Sequence, residues 1–173
     1  AQELAFSWFR TRFYDVSLGG NDQLRQRMAW ALYNFIVLGQ FGEALGQVEY
    51  YNMMQRQALG NFSDLIRAVS LNAQMGDFLN NNQNTAGRPN ENYARELMQL
   101  FTVGLTKLSA DGTVLRDAQG KAFETYTQAD VIMATKALSG WQNDWRDTPK
   151  SDNIKARVPM RPRSNSDAHD TSQ

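Results

Sequence analysis

The sequence predicts a mainly α-helical, multi-helix domain carrying one small antiparallel β-meander, and three observations predict it. Apolar residues recur at helical spacing as far as Gly104, glycines stand where those stripes stop, and beyond Gly104 the period changes around an Asp111-Gly112 hairpin signal. A chain of 173 residues makes one hydrophobic core, burying roughly 70% of the surface its unfolded form exposes.

Taken in order, Phe6, Phe9 and Phe13 share one face of a first helix over about Gln2 to Tyr14, which Gly19-Gly20 breaks. Asp22 is placed to cap a second helix reaching Leu38, with Leu24, Met28, Ala31, Phe35 and Leu38 along one side. Trp30, Leu32 and Ile36 make its other side apolar too, which predicts a helix central to the core. A third helix is expected over Glu43 to Leu59 and a fourth over about Ser63 to Leu71. Asn80 to Asn84 reads as a flexible polar loop. The next helix spans about Asn90 to Val103, with Gly104 at its C-terminal cap. Its core face is expected at Leu97, Leu100 and Phe101, and that of the fourth helix at Leu65 and Val69.

The meander is expected at about 105–126, from Leu105–Ser109, Thr113–Arg116 and Ala122–Thr125. Its first turn is a type I′ hairpin at Asp111-Gly112, with Val114 and Phe123 leaning on the helices. Thr127-x-x-Asp130 is a capping-box variant that opens a last helix ending at Gly140. Residues 1–141 thus form the helical unit and 142–173 a polar, extended tail. Between Arg146 and Arg163 the tail has six basic residues against two acidic ones, so it holds little core of its own.

Composition narrows the function classes. Eighteen basic residues balance eighteen acidic ones, so no bulk attraction to nucleic acid or to an anionic membrane is expected. The longest apolar run, Met28 to Leu38, is about half of what a bilayer crossing needs. With no cysteine there is no disulfide, thiolate metal site or cysteine nucleophile. The nucleophile-elbow pattern G-x-S-x-G and the phosphate-binding glycine loops are absent, so no cofactor is expected. The chain holds a single histidine, His169, read as a solvent-exposed tail residue; no metal site is expected.

Four blocks carry a family resemblance. They are L-R-Q-R-M-A-W-A-L-Y-N-F-I-V at Leu24 to Val37, A-L-G-N-F-S-D-L-I at Ala58 to Ile66 with M-G-D-F-L at Met75 to Leu79, P-N-E-N-Y-A-R-E-L-M-Q-L-F-T-V-G-L from Pro89, and T-Y-T-Q-A-D-V at Thr125 to Val131 closing with A-L-S-G-W. His169-Asp170 adds an H-D step. The set is similar to the bacterial domain-of-unknown-function 1800 family, with Ser139 standing where threonine is common. The resemblance implies a mostly helical, exported bacterial protein, periplasmic or extracellular, of which this chain is an internal portion lacking a C-terminal half. It implies no established activity.

The third block supplies the candidate site: Asn90, Glu91, Asn92, Tyr93, Arg95 and Glu96. Glu91 and Arg95 stand at i, i+4 in the favourable acid-first order, as do Asn92 and Glu96. Two readings stay open. In one, the arc is a solvated face behind an N-cap at Asn90. In the other, further segments cover it and it becomes a buried polar network organising a cleft. Two functions follow. The first is an interaction or scaffold module, whose partners include other segments of the same full-length chain. The alternative is a hydrolase-like enzyme with Glu91, Arg95 and Glu96 in a cleft completed by the missing half.

Overall fold

The computed structural model describes residues 2–39, 44–144, 158–165 and 168–170; the side chains of Phe6 and Phe9, expected in the core, lie outside the described residues. Helices dominate, as predicted. They are α1 (Gln2–Gly19), α2 (Gln23–Phe35), α3 (Ala44–Gln57), α4 (Phe62–Ser70), α5 (Ala73–Phe78), α6 (Asn92–Glu96) and α7 (Gln128–Ala137). A two-stranded antiparallel sheet pairs β1 (Trp141–Gln142) with β2 (Arg161–Pro162). No helix among the described residues is long and apolar enough to cross a membrane.

Short polar side chains start α4, α5 and α7, whereas Asp22 stands at the N-cap of α2, as expected, but makes no capping bond because its carboxylate pairs with Arg25. Asn61 Oδ1 accepts from the Ser63 amide at 2.8 Å, and Asn72 Oδ1 accepts from the Met75 amide at 3.0 Å, opening α4 and α5. The capping box forms as expected, with Asp130 accepting from the Thr127 amide at 2.7 Å. The short α5, six residues long, was not foreseen; its start is marked only by Asn72.

The core gathers Ala29, Ile36, Tyr50, Met54, Leu65, Val69, Met75, Tyr93 and Phe101, with Phe13 and Leu97 packed on it half-buried. Tyr50 keeps its buried hydroxyl by donating to Ile36 O at 2.8 Å. Helix α2 corrects the sequence reading. Most of its predicted core stripe is exposed, Leu24 by 64%, Met28 by 38%, Phe35 by 51%, and Ala31 with them, whereas Leu38 at the end of the stripe is buried as expected. The buried stripe is Gln26, Ala29 and Ile36, with Tyr33 half-buried. Small Ala29 lets the helix approach its neighbour closely. Gln26 is tolerated there because Gln55 Nε2 donates to its Oε1 at 2.7 Å, so the buried amide oxygen is satisfied.

The helix begun by α6 does not stay α-helical. It runs on as a π-helical turn over Leu97–Phe101, where the Val103 amide reaches back five residues to Met98 O at 3.1 Å. The wider turn brings Phe101 inward and leaves Leu100, predicted to be core, 49% exposed. Gly104 caps this end at φ +72°, as predicted.

Between Gly104 and Thr127 the expected antiparallel pairings are present as single bridges, Leu108 with Val114 and Arg116 with Ala122. A third bridge, Thr106 with Glu124, joins the first segment to the last. Each segment therefore pairs with both others, through Lys107 N to Phe123 O, Leu115 N to Lys107 O and Phe123 N to Leu115 O at 2.9–3.0 Å. The result is a closed three-way finger. Its first turn is not type I′, because Asp111 keeps a negative φ. Gly112 N donates to Ser109 O at 3.0 Å and Ser109 N to Thr113 O at 2.9 Å, with Gly112 alone left-handed at φ +84°. This is the three-residue loop with a glycine bulge, repeated at Asp117–Gly120. Closing on itself, the finger turns Phe123 outward at 47% exposure, while Val114 is half-buried.

Candidate functional site: a polar clasp, a cleft and an asparagine knot

Tyr93 is the inward anchor of the candidate arc. It is fully buried, and its hydroxyl meets Ser70 Oγ at 2.7 Å, tying α6 to α4. Burial pushes the phenol up to about 12, opposed in part by the Ser70 hydrogen bond. One turn away the arc opens to water. Arg95 Nη2 donates to Glu91 Oε2 at 2.7 Å and to Gln128 Oε1 at 2.9 Å, while Gln128 Nε2 donates back to Glu91 Oε2 at 3.0 Å. The Arg95 and Glu91 side chains keep 40% and 37% of their exposure. Gln128 first, then Arg95, draws the Glu91 carboxyl below its usual range. The three residues form a clasp between the N-termini of the signature helix and α7, and Gln128 was missing from the sequence reading.

The other members of the arc are spread around it. Asn90 Oδ1 accepts from the Asn92 amide at 3.1 Å, but the N-cap position itself falls to Glu91, one residue later than expected, and Asn92 is exposed. Glu96 is half-buried, and its Oε2 is covered without a partner among the described residues. The arc is thus neither wholly solvated nor a closed network. Among the described residues no three His, Cys, Asp or Glu stand together as metal ligands.

Beside the clasp a cleft of about 470 Å³ separates the signature helix from the finger. Arg95 and Gln99 line one wall, Lys121 and Glu124 the other, and Tyr126 and Gln128 the end. The Tyr126 hydroxyl is covered, with no partner among the described residues.

The largest departure from expectation is the segment read as a flexible loop. Asn81–Gln83 forms one 3-10 turn, entered through Asn80 at φ +59°, and Asn81 and Asn84 are 2% and 1% exposed. Asn84 works in three directions. Its Nδ2 donates to Thr135 O at 2.8 Å, its Oδ1 accepts from the Asn90 amide at 3.1 Å, and its carbonyl accepts from Gly140 N at 2.8 Å. One side chain therefore fixes the entry of the signature helix against the end of α7. Asp77 Oδ1 accepts from both Asn82 Nδ2 and Asn143 Nδ2.

The described parts of the tail close over this knot. Arg163 N donates to Gly140 O at 2.8 Å and its guanidinium to Asn82 O at 2.8 Å, while Ala86 N donates to Ala168 O at 3.0 Å. His169 is not the exposed residue expected. Its ring lies against Gly140, where any β-carbon would collide with it, and Nδ1 sits 3.2 Å from Ser139 O. Asp170 N donates to Ser139 Oγ at 2.7 Å. The S-G of the fourth block and the H-D step, remote in sequence, meet here.

The family model described as protein of unknown function (DUF1800) matches residues 2–173. A search of curated proteins and a search of solved structures each returned no match.

Proposed function

The chain belongs to the DUF1800 family, and we propose that it acts as an exported interaction module whose docking face is helix α2. The observation that carries this reading is the exposed stripe Leu24, Met28, Ala31 and Phe35. Its spacing of four, three and four residues is that of a helix-pairing seam, and Phe62 extends it beside Phe35, their rings 6.4 Å apart. Exposed apolar side chains in a continuous row, unlike scattered ones, mark contact surfaces. Arg27 flanks the row, exposed and with no ion-pair partner among the described residues. The occupant is therefore an amphipathic helix with acidic flanks, laid into the row as helices dock in grooves.

The test is titration with a helical peptide bearing leucines at heptad spacing and glutamates beside them, and with a version carrying lysines instead. Saturable binding of the glutamate peptide, weakened by lysine flanks and abolished by Phe35→Asp, supports the proposal. Equal binding of both peptides, or Phe35→Asp binding like wild type, overturns it. The hydrolase-like alternative draws on one observation, the cleft beside Arg95. It ranks second because Glu91, one of the three residues it relies on, is already occupied by Arg95 and Gln128.

A further inference from the structure

The cleft between the signature helix and the finger shares no residue with the α2 row, and its chemistry points to a different kind of ligand. Arg95 is held in place through Nη2, which donates to both Glu91 and Gln128. Its Nε and Nη1 have no partner among the described residues. Such an arginine presents a fixed cationic edge rather than a wandering side chain, so little is lost in ordering it on a ligand. Across the cleft the side-chain charges of Lys121 and Glu124 are also without partners among the described residues, and both are on exposed positions of the finger.

The charge count decides the class of ligand. Arg95 and Lys121 supply two positive charges and Glu124 one negative, so the lining carries a single net positive charge. Glu91, bonded to Arg95 just outside, lowers the field further. With Glu91 counted the four charges cancel, so a dianion such as phosphate is poorly matched, and a monoanion is held by the donors that stay free, Arg95 Nε and Nη1 and the Lys121 ammonium. The rest of the lining includes Leu105 and Ala122, which offer apolar surface to the body of the ligand, and Val131, which is fully buried. Gln99 and Gln128 add amides that donate and accept. A volume of about 470 Å³ falls in the range of small-molecule sites. The wall itself contains the π-helical turn, a distortion that recurs at functional positions and here supplies Gln99.

We propose that this cleft binds a small organic monocarboxylate with an apolar body, its carboxylate set between Arg95 and Lys121.

The test uses the full chain, isotope-labelled, followed by the amide resonances of Gln99 and Gln128 during titration with hexanoate and with benzoate. Hexanamide serves as the uncharged probe and inorganic phosphate as the dianion. Saturable shifts with at least one carboxylate are expected, with hexanamide weaker by about tenfold, the worth of a charge-assisted hydrogen bond. Lys121→Gln, at an exposed position, should weaken carboxylate binding severalfold while leaving resonances of the buried core unchanged. The proposal fails if neither carboxylate gives saturable shifts. It fails equally if hexanamide binds as well as hexanoate, if phosphate binds more tightly, or if Lys121→Gln is without effect.

Discussion

The signature helix and the asparagine segment before it are both rich in polar residues, yet the fold uses them in opposite ways. Glu91 and Arg95 keep more than a third of their exposure, and their clasp to Gln128 faces water. Asn84 is almost wholly buried with its amide bonded at both ends, and Asn81 is as deeply buried although its side-chain amide has no partner among the described residues. Chemical variety attracts attention in a sequence, but it does not measure burial. Asparagine carries both donors and acceptors on a short, uncharged side chain, so it can replace backbone partners inside a protein without the desolvation cost of an ion. Glu91 and Arg95 would each meet that cost if covered, and the fold leaves them at the rim.

The comparison is broken most easily at Asn84. Asn84→Ala strips a buried donor from Thr135 O and a buried acceptor from the Asn90 amide, and each orphaned group costs about 1–3 kcal/mol. A loss of about 2–5 kcal/mol is therefore expected in urea denaturation.

Tyr93→Phe comes next. It removes the bond to Ser70 without leaving a cavity, for a loss of about 1 kcal/mol. It also has a pH signature. Burial holds the Tyr93 phenol at about 12, above the unfolded value, so the neutral form is favoured in the fold. The associated stability is fully present below the unfolded pKa of about 10 and is lost as pH rises from there towards 12. Burial also raises Tyr50 well above its ordinary value, so alkaline destabilisation should be shallower, not absent, in Tyr93→Phe.

Arg95→Ala is expected to shift the midpoint far less than either change, since exposed ion pairs contribute little. Phe35→Asp should have the smallest effect of all, because the side chain already lies half in water. Wild-type-like circular dichroism and an unchanged midpoint would check it.

How much of this was legible varies with the physical cause. Helical periodicity located the helices other than the short α5, and the capping box at Thr127 and the Gly104 cap were read correctly because they depend on neighbouring residues alone. Leu65, Val69 and Phe101 were placed in the core by the same periodicity. It failed on α2, where both faces are apolar and hydrophobicity could not choose between them. The choice fell to the face where Ala29 permits close approach and Gln55 satisfies Gln26, facts that belong to a neighbouring helix. Leu100 was misplaced because a π-turn breaks the 3.6-residue period on which the assignment rested. The Asp111 turn was given the wrong type because Asp-Gly serves both a two-residue and a three-residue loop.

At the site, Glu91 with Arg95 was legible as an i, i+4 pair, whereas Gln128, 37 residues from Glu91, was not. The burial of Asn84 depends on Thr135 and Gly140, more than fifty residues on in the chain. The meeting of His169 with Gly140 was equally hidden, since only packing brings the two segments together.

The measurement that tests this account most directly is urea denaturation of Asn84→Ala beside Arg95→Ala under identical conditions. The account predicts that the asparagine variant loses several kcal/mol, about 2–5, while the arginine variant stays close to wild type. The reverse order, with Arg95→Ala the more damaged, would mean that the signature arc and not the asparagine knot holds this fold together.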